Sequence, residues 1–374
     1  MVVYDTSDIP LRSAGPDQGF DKIGDYYGLR LHVAMAFCAQ SWLPLGLVGA
    51  KRVRASPNRT KGQSSYQVWR DPQKPSRRWF EMPLQIEARL KAPSSALHIC
   101  DLEADSYELF DKLKDSRVLI RLKSTRTGHR ARLYEQVAQS PVLFERTIEL
   151  STRSKSSWPA ANKKHPPRQG RSAHIEVRAQ AVMLERPKYL PASLPATLEY
   201  NLIHAFEPNP PAGEDPVNWH LLTREPIDTA EQVGELVDLY RGRWNIEDFF
   251  KCLKTGCQLN KRLPESGESA EAMLALLLPM AWQLLTLRQM ARLAPKAAAE
   301  QFFPKERLDV LRATSAGKKL PPRASVRHVI LALAQLGGHI STNGPPGILV
   351  LGRGYETFLA FEAGFKAARD HPKH

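Results

Sequence analysis

Cysteine is scarce in these 374 residues, and the four present, Cys38, Cys100, Cys252 and Cys257, follow no pattern. Cys252 and Cys257 lie five apart with no second pair, so the spacing of a structural zinc site is missing. Such sparse thiols suit a reducing cytoplasm. Long hydrophobic runs are missing too: no unbroken apolar stretch reaches the roughly 18 residues that a membrane-spanning helix takes. The longest, residues 273–280, is short and carries Pro279. The start, Met-Val-Val-Tyr-Asp, lacks the basic segment followed by an apolar one that marks a secretory signal. The expectation is therefore a cytoplasmic chain with no membrane span. Acid is also in short supply, with 39 Asp and Glu against 53 Lys and Arg, a net charge of +14 and a pI near 9.7. That excess favours a polyanionic partner, nucleic acid ahead of an anionic membrane surface. A merely soluble basic protein is the alternative that charge alone leaves open.

The chain is too long for one ordinary core, and two or three structural units are expected. Residues 2–4 read as a short strand ending on Asp5, residues 30–37 and 45–53 as strands two and three, and residues 96–100 as a fourth that stops at Asp101. Residues 106–114 have helical spacing, and residues 118–122 form a fifth strand. This alternation argues for an α/β core. Residues 51–78 hold nine Lys or Arg and one acid, and read as a loop that is either solvated or in contact with phosphate.

Between residues 124 and 216 Gly, Pro and Ser abound and short alternating runs recur at 142–150, 173–184 and 196–203. These predict a β-rich insertion with a basic tip at Lys163, Lys164, Arg168 and Arg171. Residues 219–223 return as a strand. A helix capped by Thr229 is expected to run to about Lys254, followed by a long helix over 270–293 kinked at Pro279. Shorter helical patterns fall at 307–313, 326–336 and 355–369. The expected organisation is a core over 1–123, the insertion over 124–215, the rest of the core over 216–258, and a C-terminal helical region over 259–374.

One segment carries the chemistry: Tyr240-Arg-Gly-Arg-Trp-Asn-Ile-Glu-Asp-Phe-Phe-Lys-Cys-Leu-Lys254. At about 100° per residue, Tyr240, Arg243, Glu247, Lys251 and Lys254 share one helical face, and Ile246, Phe249 and Leu253 the opposite one. An acid among cations and a phenol is what a metal-and-phosphate site takes: the carboxylate helps hold a divalent ion, and the cations and hydroxyl hold phosphate oxygens. On spacing alone, a solvated face with ordinary salt bridges is the somewhat stronger reading.

The spacing Tyr-(2)-Arg-(3)-Glu-(6)-Lys resembles the signature of the hairpin-forming bacterial DDE transposases of the insertion-sequence-four type. The surrounding NPPAGEDPVNWHLLTREPI (209–227) and RWNIEDFFKCLKTG (243–256) resemble that family as well, and so does LGGHISTNGPPGILVLGRGYETF (336–358) near the C-terminus. The resemblance implies a ribonuclease-H-like mixed sheet core, with two aspartates upstream of Glu247. Asp5 in Tyr-Asp-Thr-Ser resembles the first. Asp101 in Cys-Asp-Leu-Glu-Ala-Asp resembles the second, with Leu102 where the family has Arg, and with Glu103 and Asp105 as the alternatives in that loop. Three such acids would hold two Mg²⁺ ions about 3.5–4 Å apart, with Mn²⁺ as a substitute.

The resemblance further makes Trp219, 21 residues before Tyr240, a platform for a base flipped out of the DNA end, although a strand tryptophan is also ordinary core. Tyr240, Arg243, Lys251 and Lys254 would grip nearby phosphates. Arg121 and Lys123 are further phosphate contacts or simply a solvated strand edge. The implied partners are double-stranded DNA, both transposon ends and target, and a second copy of the chain bound through residues 355–369. The implied place is the nucleoid. The family carries a helical DNA-binding region ahead of its catalytic strand, for which a chain starting on that strand has no room. That leaves two expectations: a catalytic body, or a truncated, non-catalytic inhibitor that binds DNA or pairs with a full-length transposase. A ribonuclease-H-like nuclease on another nucleic acid is a further alternative, disfavoured by the Tyr-Arg-Glu-Lys spacing and Trp219.

Overall fold

The computed structural model describes residues 1–11, 15–54, 61–92, 95–124, 128–152, 167–340, 342 and 344–370. The chain forms two compact units. The first joins Met1–Ala55 to Arg243–His374, and the second is Ser56–Gly242. In chain order the first unit opens with strands β1 (Val2–Pro10), β2 (Asp21–Ile23), β3 (Tyr26–Phe37) and β4 (Pro44–Arg52). The second holds α1 (Ser65–Arg70), α2 (Arg78–Glu87), β5 (His98–Cys100), α3 (Tyr107–Lys112), β6 (Val118–Leu122), α4 (His129–Gln139), β7 (Phe144–Leu150), β8 (Arg171–Glu185), β9 (Thr197–Phe206), β10 (Asn218–Thr223) and α5 (Ala230–Gly242). The first then resumes with α6 (Asn245–Lys251), a π-helical turn (Cys252–Gly256), α7 (Gly267–Leu293), α8 (Lys305–Ala313), α9 (Val326–Leu336) and α10 (Ile348–Asp370).

In the first unit β3 is the central strand, antiparallel to β1, β2 and β4. β1 does not end on Asp5 as its sequence suggested. Thr6, Ser7 and Asp8 look like a strand end, yet pairing with β3 continues from Val2↔Ala36 to Pro10↔Gly28. The polar side chains are absorbed locally: Thr6 Oγ1 meets His32 Nδ1 at 2.9 Å, and Arg30 grips the Asp8 carboxylate at 2.7 and 3.2 Å. Asp5 therefore sits inside a strand, opposite Val33.

The helices of this unit show why one continuous helix to Lys254 does not form. α5 stops at Gly242, a poor helix former, and Arg243 and Trp244 make a turn before α6 starts. The π turn then inserts an extra residue per turn, so Lys254 leaves the face that ideal α-helical spacing assigns it. The apolar face survives: Ile246, Phe249 and Leu253 are fully buried. α10 presses on the π turn through glycine. A Cβ on Gly352 would lie 2.0 Å from the Gly256 carbonyl oxygen, so no other residue fits at that approach. α7 begins at a Ser266–Ser269 capping box, runs through Pro279, and buries Leu274, Leu277, Ala281, Leu284 and Leu285. Among the described helices it alone is long and apolar enough to cross a membrane, with a mean hydropathy of 1.5 over its most apolar stretch. Its sequence holds no long unbroken apolar run because Glu271, Gln283 and Arg288 interrupt it.

In the second unit the strand order is β5-β6-β10-β9-β8-β7. β5 and β6 are parallel, and every later pairing is antiparallel. The strands expected in an insertion therefore continue the sheet of β5, β6 and β10. Two helices were not foreseen. α1 lies in the basic stretch expected to be loop, and starts on a Ser64–Gln67 capping box, a pattern legible in Ser-Ser-Tyr-Gln. α4 has only Leu133, Tyr134 and Val137 to bury, too few apolar positions to stand out. Both units are thus mixed α/β.

Candidate active site

In the first unit, Asp5 and Ser7 lie two apart on β1 and so face the same way. α6 and the π turn bring side chains to that face. Arg243 Nη1 lies 3.5 Å from Asp5 Oδ2, and its Nη2 lies 3.8 Å from Glu247 Oε1. One guanidinium thus spans two carboxylates. Asp5 is only 7% exposed and accepts the Thr6 backbone N–H at 2.8 Å. Its pKa is pushed up to about 7, chiefly by burial; Arg243 opposes the rise and the Glu247 carboxylate adds to it. Lys254, from the π turn, donates to Ser7 Oγ at 2.7 Å. Burial lowers the Lys254 pKa, and Asp8, Glu247 and Asp5 act against that shift. Ser7 had no place in the sequence reading, although its period-two relation to Asp5 pointed to it.

The second unit holds the other expected residues. Asp101 directly follows β5, half-buried, and caps a short 3-10 turn by accepting the Glu103 N–H at 2.8 Å. Its two rivals are tied down as anchors of the loop. Asp105 accepts the Lys123 N–H at 3.0 Å and Arg130 Nη1 at 3.3 Å, and Glu103 pairs with Arg78. Trp219 stands half-buried on β10 with its ring centroid 6.0 Å from that of Tyr240 on α5, edge to face at 61°. Tyr240 is 5% exposed, so it lies on the packed side of its helix and not on the polar face its spacing suggested. The helical-wheel argument failed there because it assumed one helix through the Arg243–Trp244 turn.

Among the phosphate candidates, Arg121 is half-buried in β6, Lys123 is exposed just beyond it, and Lys251 is exposed at the end of α6 in the first unit. Of the basic tip, Lys163 and Lys164 lie outside the described residues. Arg171 is spent internally on Glu207, at 2.5 and 2.9 Å, and Arg168 donates to the Ser151 carbonyl at 3.2 Å. Trp244, in the turn before α6, is 56% exposed and was not singled out.

Among the described residues no group of three or more His, Cys, Asp or Glu side chains gathers as a metal cage. Asp5 and Glu247 are the two expected ligands that come together. Their chemistry fits a divalent ion: both are hard oxygen donors, and Asp5 is held above its ordinary pKa first by its own burial and then by the Glu247 carboxylate. A comparison with protein families gives one match: the model for a transposase DDE domain fits residues 84–283, more than half of the chain. The matched span includes Asp101, Trp219, Tyr240, Arg243, Glu247 and Lys254, and Asp5 lies ahead of it.

Proposed function

The chain belongs to the transposase DDE domain family, and from that premise we propose that it is a metal-dependent DNA nuclease and strand-transferase of the hairpin-forming, insertion-sequence-four type. The observation that carries this reading is the Asp5–Arg243–Glu247 cluster with Lys254 on the neighbouring Ser7. Asp5, Glu247 and, at the end of β5, Asp101 are the proposed ligands of divalent metal, Mg²⁺ with Mn²⁺ able to replace it. Such ions, when bound, activate the attacking oxygen and neutralise charge on the leaving one.

The other roles belong to side chains of this chain. Arg243 and Lys254 hold phosphate oxygens near the acids, with Lys251, Arg121 and Lys123 as outer contacts. Trp219 offers a face to an unstacked base, and the edge of Tyr240 against it fixes its orientation. The proposed sequence begins with hydrolysis of one strand, in which water displaces a 3′-oxygen from phosphorus. The freed 3′-hydroxyl attacks a phosphorus of the opposite strand and displaces that strand's 3′-oxygen, closing a hairpin and releasing the flanking DNA. Water opens the hairpin, and the 3′-hydroxyl is joined to target DNA. A second copy of the chain on the DNA completes the proposed assembly.

The test is nicking of a short duplex with Mg²⁺ or Mn²⁺, comparing the parent with Asp5→Ala, Asp101→Ala and Glu247→Gln. Each variant is expected to lose roughly 10²–10³-fold or more in rate, the scale of losing a transition-state charge stabiliser, while still binding DNA. Cleavage by Glu247→Gln at the parental rate would sink the assignment. Metal binding by the parent without any cleavage would favour the non-catalytic inhibitor.

A further inference from the structure

The second unit contains a cavity of about 340 Å³, of whose lining the roles above use Lys123 alone. Its wall draws on α1, the stretch leading into α2, the loop after Asp101, and Lys123. Val68, Pro75 and Trp79 give it an apolar side. Three cations, Lys74, Arg78 and Lys123, face two acids, Asp71 and Glu103. Arg78 is already committed to Glu103, which leaves Lys74 and Lys123 with Asp71 as the other acid of the lining.

Lys74 is the telling residue. Its side chain is 23% exposed, and its closest ion-pair partner, Glu108 Oε2, is 3.9 Å away, beyond hydrogen-bond length. No acceptor hydrogen-bonds this ammonium among the described residues. Lys123 follows the last residue of β6, and Glu103 lies just past β5, so the cavity opens at the carboxyl ends of the two parallel strands. Open α/β sheets habitually take ligands at that end. The volume exceeds what a bare phosphate needs and falls in the range of about 300–1,000 Å³ typical of small-molecule pockets.

We propose that this cavity binds a single nucleotide, its phosphate held by Lys74 and Lys123 and its base against Val68, Pro75 and Trp79. The proposal extends the reading of the chain as a DNA-acting protein. The nucleotide is either one residue of a DNA strand or a free nucleotide, and the chemistry of recognition is the same for both.

Calorimetric titration of the full chain in EDTA, where no metal-dependent cleavage occurs, tests it. The probes are the four deoxynucleoside 5′-monophosphates, the matching nucleosides and inorganic phosphate. At least one monophosphate is expected to bind roughly tenfold tighter than both its nucleoside and inorganic phosphate. Lys74→Gln should weaken it about tenfold, Lys74→Arg should restore it, and Ser76→Glu, which places an anion in the cavity wall, should abolish it. Unchanged melting temperatures would show that the variants fold. Equal binding of nucleoside and monophosphate, no saturable binding, or indifference to Lys74→Gln and Ser76→Glu would overturn the proposal. Displacement of the monophosphate by a 5′-phosphorylated single-stranded oligonucleotide identifies the strand as the source, and failure to displace it identifies the free nucleotide. Nicking without nucleotide binding would remove this pocket and leave the catalytic reading, whereas binding without nicking would do the reverse.

Discussion

Arg243 does two things with one side chain: it reaches both carboxylates of the candidate site and keeps their mutual repulsion tolerable in a buried place. Asp5, Arg243, Glu247 and Lys254 were named from the family resemblance, since spacing alone leaves a solvated face as open as a site. Ser7 was signalled only by its period-two relation to Asp5, and the burial of Tyr240 could not be read because it depends on which ring lies opposite. Histidine gives a second case. His204 and His220 face each other across β9 and β10, their rings stacked at 4.4 Å, and Tyr134 stacks on His220 at 3.8 Å. Burial, then the neighbouring His204 and Arg121, pull the His220 pKa down to about 3. The unfolded chain, with an ordinary value near 6.5, binds more protons between those limits. Stability is therefore fully present above about pH 6.5 and is lost as pH falls toward 3, by on the order of 4 kcal/mol from this group alone. Urea unfolding from pH 7 to 4 should show that decline, and His220→Phe should flatten it. An unchanged slope would mean that the ring protonates freely in the folded protein.

Among the elements, the strands were the most legible, because apolar alternation survives even where a partner is distant in sequence. β1 was read too short, since strand pairing with β3 outweighs the polarity of Thr6, Ser7 and Asp8. The α5–α6 break was masked because the helical spacing of apolar residues continues past Gly242 to Ile246 and Phe249, although Gly242 itself is a poor helix former. Nothing in the residues of the π turn announces it, and the approach of α10 to it at Gly352 is seen only in three dimensions. Gly352→Ala tests that contact. The added methyl cannot remain 2.0 Å from the Gly256 oxygen, so α10 or the π turn must shift, at about 1–3 kcal/mol as for other overpacked sites. Denaturant unfolding should show the loss. Because Lys254 sits in that turn, nicking under conditions where the variant is still folded should drop as well. Full activity with only lowered stability would separate the helix from the site.

For the molecule as a whole, the basic excess was the feature that sequence gave away most cheaply, since counting charges needs no fold. Its consequence is testable without knowing a cognate site. A +14 chain that grips phosphates should lose DNA affinity steeply as salt rises. A protein with 6–10 phosphate contacts falls by about 10³–10⁵ between roughly 50 and 200 mM salt. Lys251→Ala should weaken binding evenly across sequences and lower the salt slope by about one. A slope near zero would show that phosphate contact is not what the charge serves. The expected organisation splits the core around residues 124–215; in the structure the first unit takes its strands from one end of the chain and its helices from the other.

That arrangement sets a timetable for synthesis. β1–β4 leave the ribosome first, and α6, with Glu247, follows only after the 187 residues from 56 to 242. At about 5–20 residues per second the early strands wait roughly 10–40 s for the helices that cover them. Throughout that interval Asp5 has neither Arg243 nor Glu247 beside it. Until about two thirds of these 374 residues have been made, the candidate site therefore lacks its second carboxylate, and the unpaired strand edges make that waiting period the stage most exposed to aggregation.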